Sequence, residues 1–141
     1  MATPENKAKI EYLERYKLLE KEVARLCDEY ARWTERATVL SPTITDMPKG
    51  GGQSDPVQRA VIAMCDLGAD IGKKMDTLSR VRCEIECALQ SIEDGTLRLL
   101  MEYRYLNGMT WEEVAVKMNY NYRWVLRLHG RALAAIKINR P

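Results

Sequence analysis

The chain has 141 residues, 46% of them hydrophobic and 30% charged, which allows one ordinary domain or one small domain carrying an extended element. No apolar run approaches the roughly 18 residues a membrane span needs and no signal-peptide pattern opens the chain, so a cytoplasmic setting is expected. Formal net charge is only +2, yet residues 96–141 hold eight Lys/Arg against three Asp/Glu, while residues 1–95 hold 14 against 17, an asymmetry that points to a polyanionic partner for the C-terminal part.

Thr3-Pro4 reads as a helix cap followed by proline in the first turn, where its missing N–H does no harm. A long helix from Pro4 to about Thr38 is predicted to follow. Tyr16, Leu19, Val23, Leu26, Tyr30, Trp33 and Ala37 alternate spacings of three and four and keep one apolar seam on one side. Glu14, Lys21, Glu22 and Arg25 fill the rest as a solvated face. Residues 41–54 then hold two prolines and the run Gly50, Gly51, Gly52, so no regular element passes through them. The spacing of a phosphate-binding loop is absent there, and no buried strand precedes it. Ile44, Met47 and Pro48, beside a single Lys49 and the acids Asp46 and Asp55, suit either the docking of a protein partner or packing back onto the helices, not the binding of phosphate.

Asp55-Pro56 reads as a second cap and first turn. Val57, Met64, Ile71, Leu78, Ile85 and Ile92 recur every seven residues, with Val61, Leu67, Met75, Val81, Ala88 and Leu89 expected on the same side. The two long helices, matched in length and joined by a short loop, should fold back as a coiled-coil-like antiparallel hairpin. Gly68 and Gly72 each cost about 1 kcal/mol against alanine in a helix interior, and mark either a close helix approach or a bend. Cys27, Cys65, Cys83 and Cys87 form neither a disulfide nor a metal-ligand pattern and read as reduced packing residues. A break is expected at Asp94-Gly95.

After it, Leu97, Leu100, Met101 and Tyr103 start a unit of three short helices. Asn107-Gly108 ends the first, and Thr110 with Glu113 forms a capping box for the second, whose apolar residues are Trp111, Val114, Ala115 and Met118. Asn119 suits the left-handed conformation that closes a helix. Asn121 then caps a third helix with Val125, Leu128, Ala132, Leu133 and Ile136 inward and Arg123, Arg127 and Arg131 on another face. This pattern implies a helix-turn-helix that meets double-stranded DNA with its second helix. Arg123 and Arg127 are the candidates for base contact, since arginine donates two hydrogen bonds to guanine O6 and N7. Tyr122 and Trp124 are placed to stack on sugar or touch a thymine methyl group, and Trp124 equally to pack inward. Asn121 combines capping with a phosphate contact, and Arg131, Lys137 and Lys117 are candidates for backbone phosphate. His129, the single histidine, has no catalytic partner in sequence and is expected to pack or make a polar contact. Glu112 and Glu113 are neighbours that do not face each other, and no nucleophile constellation exists, so no enzyme, metal or cofactor is expected.

RYLNGMTWEEVAVKM at 104–118, continued by NYRWVLRLHGRALAAIK, resembles the region 4 helix-turn-helix of bacterial sigma factors, with Asn119 where those usually carry a glycine. Together with YLERYKLLEKEV near the start and MPKGGGQSD in the middle, RLHGRAL makes nearly the whole chain similar to the RinA and ArpU type of phage transcriptional regulators. The resemblance implies a phage activator of late, packaging or export-related genes that works with host RNA polymerase in the bacterial cytoplasm. The expected architecture is all-α: residues 1–95 as a hairpin for oligomerisation and partner binding, with its tip at 41–55, and residues 96–141 as the DNA-binding domain, in a homodimer or higher homo-oligomer. Two other readings fit the same elements. One is a DNA-packaging protein like the phage small terminase subunit; the other is a coiled-coil protein that binds polymerase or sigma factor without touching DNA.

Overall fold

The computed structural model describes residues 3–40 and 55–138, which are all-helical: α1 (Pro4–Leu40), α2 (Asp55–Gln90), α3 (Gly95–Tyr105), α4 (Trp111–Met118) and α5 (Tyr122–Ala135). None of these helices is long and apolar enough to cross a membrane. The expected loop at 41–55 lies outside the described residues, except that Asp55 opens α2. Thr3 caps α1 as its sequence suggests: its Oγ1 accepts from the Asn6 N–H at 3.1 Å, and Pro4 takes the first helical position.

The chain forms two compact units, Glu20–Thr77 and the remainder on either side of it. In the first, Val23, Leu26 and Ala60 are buried, and Lys74 Nζ donates to Glu22 Oε2 at 2.9 Å. The apolar face of α2 corrects the sequence-based one at two places. Val61 and Met75 are both 47% exposed, while Ala60 is buried and Lys74 half-buried. The reason is phase. Spacings of three and four carried from Val57 run through Ala60, Met64, Leu67, Ile71 and Lys74 to Leu78 and Val81, and a one-residue shift turns a side chain by about 100°. Lys74 thus takes a position that hydrophobicity alone would not choose, and satisfies it with a carboxylate. Neither helix glycine marks a close approach: a Cβ at Gly68 would sit 4.0 Å from the Tyr30 ring, and one at Gly72 would meet nothing within 4 Å.

The second unit joins the beginning of α1 and the end of α2 to the three short helices. Leu13, Tyr16, Val81, Ile85, Leu89 and Ile92 share one buried cluster with Leu100, Met101, Val114, Val125 and Ile136. Leu13 is fully buried although it lies one residue off the α1 seam. Arg82 donates to the Tyr16 hydroxyl at 2.9 Å, and Arg15 to Glu84 at 2.8 Å. The arginine–carboxylate pair is over a third exposed on both sides, where solvent screening leaves an ion pair little net worth.

The break between α2 and α3 falls where Asp94-Gly95 suggests. Asp94 Oδ1 accepts from the N–H groups of Thr96 and Leu97, at 2.9 and 3.3 Å, and Arg98 reaches back to the Ile92 carbonyl at 3.0 Å. The cysteines do not pack. All four are exposed, because each falls outside the buried side of its helix, and Cys83 and Cys87 stand one turn apart on the surface.

Candidate functional site

The segment from α3 to α5 is built from local hydrogen bonds that its residue types dictate. Gly108 has φ +71°, the left-handed conformation glycine adopts without strain, and the Met109 N–H donates to the Tyr103 carbonyl at 3.1 Å. Thr110 Oγ1 accepts from the Glu113 N–H at 3.2 Å while Glu113 Oε1 accepts from the Thr110 N–H at 3.3 Å, the reciprocal capping box. At the other end of α4, Asn119 is left-handed at φ 59°, ψ 40°. The Tyr120 N–H bonds the Ala115 carbonyl at 3.0 Å and the Asn119 N–H bonds that of Val116 at 3.3 Å, the pair that closes a helix in the Schellman manner. Asn121 Oδ1 then accepts from the Trp124 N–H at 2.8 Å and starts α5 two residues after the turn.

α5 is divided sharply between core and solvent. Val125, Leu128, Ala132 and Leu133 are buried, as is Ile136 just beyond the helix; Tyr122, Arg123, Leu126, Arg127, Gly130, Arg131 and Ala134 are exposed. Two long-range bonds hold its far end. Lys9 Nζ donates to the Leu133 carbonyl at 2.7 Å, a cation at the helix C-terminus where the macrodipole is negative, and the Lys137 N–H donates to Ser91 Oγ at 2.9 Å.

The candidate residues therefore fall into groups. Asn121, Tyr122, Arg123 and Arg127 share the first two turns of α5, with Arg123 and Arg127 four apart on the side away from Val125 and Leu128. Arg131 holds its guanidinium carbon 5.1 Å from the centroid of the half-buried Trp124, so this pair covers a flank and Trp124 takes the partly inward position. Lys117 is exposed in the last turn of α4. Lys137 lies past the opposite end of α5 from Asn121, about 21 Å along the 14-residue helix. Among the described residues none of Arg123, Arg127, Arg131, Lys117 and Lys137 is ion-paired with a carboxylate.

His129 has a structural setting. Its Nε2 lies 2.8 Å from the Tyr105 hydroxyl, its ring centroid 4.4 Å from that of Trp111, and Arg104 holds its guanidinium carbon 4.8 Å from the centroid of the Trp111 ring while donating to the Met109 carbonyl. Burial, with a smaller contribution from the Arg104 charge, lowers the His129 pKa to about 4, so the imidazole is neutral at neutral pH. Burial also holds the Tyr105 hydroxyl protonated well above its ordinary range.

One exposed residue was not singled out by the sequence: Leu126, 39% exposed between Arg123 and Arg127 on the same helix. Its signal was available, since it stands four residues after Tyr122, outside the inward series. Compared with known proteins, the chain matches no family model, no curated protein and no solved structure.

Proposed function

We propose that the chain is a sequence-specific regulator of transcription that binds double-stranded DNA. In this reading α4, the turn at Asn119 and α5 are a helix-turn-helix, α5 enters the major groove, and α1 and α2 form the antiparallel hairpin that carries it. The observation that carries the reading is the exposed pair Arg123 and Arg127, without an ion-pair partner among the described residues and opposite a buried apolar stripe, in a segment from Asn121 onward with five basic residues and no acid. Two kinds of contact are then available: base edges for the arginines in the first two turns of α5, and phosphate for Arg131, for Lys117 on α4 and for Lys137 beyond α5. The phage setting, late or packaging-related promoters and host RNA polymerase as partner follow from the resemblance to RinA and ArpU regulators.

Arg123→Ala and Arg127→Ala are each expected to weaken binding to the preferred site by roughly fivefold to 150-fold, the loss of one bidentate base contact. Arg131→Ala should instead weaken all sequences alike and reduce the salt slope by about one. Unchanged affinity in the Arg123→Ala, Arg127→Ala double variant, with helicity intact by circular dichroism, rejects the assignment.

Self-association belongs to the same reading, because α2 leaves Val61, Ile62 and Met75 in solvent at 47–60% exposure, and a two-fold assembly would cover them and match a palindromic operator. Sedimentation at tens of micromolar should give a dimer that Ile62→Asp dissociates. A monomer at that concentration rules the dimer out.

A further inference from the structure

The solvent side of α5 carries two ridges of different chemistry. Residues four apart on a helix stand above one another, so Arg123 and Arg127 make one ridge, and Tyr122 and Leu126 make another rotated from it by about 100°. Leu126 is the one aliphatic residue larger than alanine that α5 leaves exposed; its neighbours Val125 and Leu128 are 0% and 5% exposed. Beyond these two turns the outer face continues into Gly130 and Ala134, and a Cβ at Gly130 would meet nothing within 4 Å. Apart from Arg131, whose guanidinium lies over the Trp124 ring, the large exposed side chains of α5 are therefore Tyr122, Arg123, Leu126 and Arg127.

In the major groove the base edges offer hydrogen-bonding groups almost everywhere, and the apolar exception is the thymine C5-methyl. Guanine offers the two acceptors that suit arginine. Leu126 rises about 1.5 Å from Arg127 and about 4.5 Å from Arg123 along the helix, against about 3.4 Å between stacked base pairs, so a pair that Leu126 touches lies within about one step of a pair an arginine reaches. The lack of any acid from Asn121 to the end of the chain favours a polyanion over an apolar protein groove as the surface that covers Leu126.

The geometry points to Leu126 as a specificity-determining residue that reads the methyl group of a thymine next to an arginine-bound guanine. This rests on the DNA-binding reading and adds to it both a residue and a base. Discrimination of thymine from cytosine at that pair then comes from contact with a single methyl group, and discrimination of guanine from Arg127.

The test uses the full chain and a duplex selected by it from a random library. Each thymine is replaced singly by deoxyuridine, which removes the C5-methyl and leaves base pairing unchanged. The wild-type protein should lose about fourfold in affinity at one or two positions adjacent to a guanine, the worth of one methyl group withdrawn from burial. Leu126→Ala should bind the thymine and uracil duplexes alike there, while Leu126→Met keeps part of the preference. Since Leu126 is exposed, neither substitution opens the core, and the uracil scan on the unchanged protein needs no variant. A flat scan, or full uracil sensitivity in Leu126→Ala, overturns the methyl assignment and leaves DNA binding standing. If no duplex is selected at all, the DNA-binding reading fails and this inference with it.

Discussion

A peptide of residues 96–141, which contains α4, α5 and all of α3 except Gly95, should show partial helicity and no cooperative thermal unfolding. Its apolar residues are eleven of the 18 in a buried cluster whose other seven are Leu13, Tyr16, Val81, Ile85, Ala88, Leu89 and Ile92. Burial of a large apolar side chain stabilises by about 1.5–3 kcal/mol, so losing these seven removes roughly 10 kcal/mol or more, against a total stability of about 5–15 for a domain. Within the intact chain, Leu13→Ala should cost about 2–5 kcal/mol, as for other fully buried leucines, though Leu13 belongs to the first helix. Calorimetry or denaturant unfolding checks both. A sharp two-state transition in the peptide would show that the three short helices are self-sufficient.

Stability should also fall between about pH 6.5 and pH 4 by an amount traceable to His129. Its folded pKa is about 4, below the ordinary 6.5, so between these values the unfolded chain binds the proton more readily. The contribution is therefore complete above about pH 6.5 and lost as pH falls towards 4. A displacement of this size corresponds to about 3 kcal/mol. The imidazole faces the Tyr105 hydroxyl and the Trp111 ring, with Arg104 nearby as the charged group that adds to the cost of protonation. Carboxylates titrate over the lower part of the same range, so the measurement is a difference: urea unfolding of wild type and His129→Gln at pH 7, 5.5 and 4.5. The variant should lose less stability on acidification. Parallel curves for the two proteins would remove His129 from the account.

The elements carried by local chemistry were the legible ones. Thr110 with Glu113, Asn121 and Asp94 each declare a helix end through a side chain that bonds the backbone within three residues, Asn119 does so through its left-handed backbone, and the inward series from Val125 to Ile136 follows from 3.6-residue periodicity. What needed tertiary information was which member of an adjacent pair faces inward. Ala60 against Val61 was misassigned because valine is the more hydrophobic, although phase places alanine inside. Lys74 against Met75 went the same way, since the carboxylate that satisfies Lys74 is Glu22, 52 residues away. The candidate site was legible in its arginines and caps. Leu126 was missed because an isolated leucine in an amphipathic helix is ordinarily counted with the core.

The bond from Lys9 to the Leu133 carbonyl spans 124 residues, nearly the whole chain. Synthesis delivers the N-terminus first, so Ile10, Leu13 and Tyr16 leave the ribosome long before the helix that completes their surroundings exists. Contacts this distant in sequence form late and slow the search for the native state. Closure of the core therefore waits for the synthesis of Ile136, and a chain interrupted before it keeps apolar surface open to chaperones and proteases.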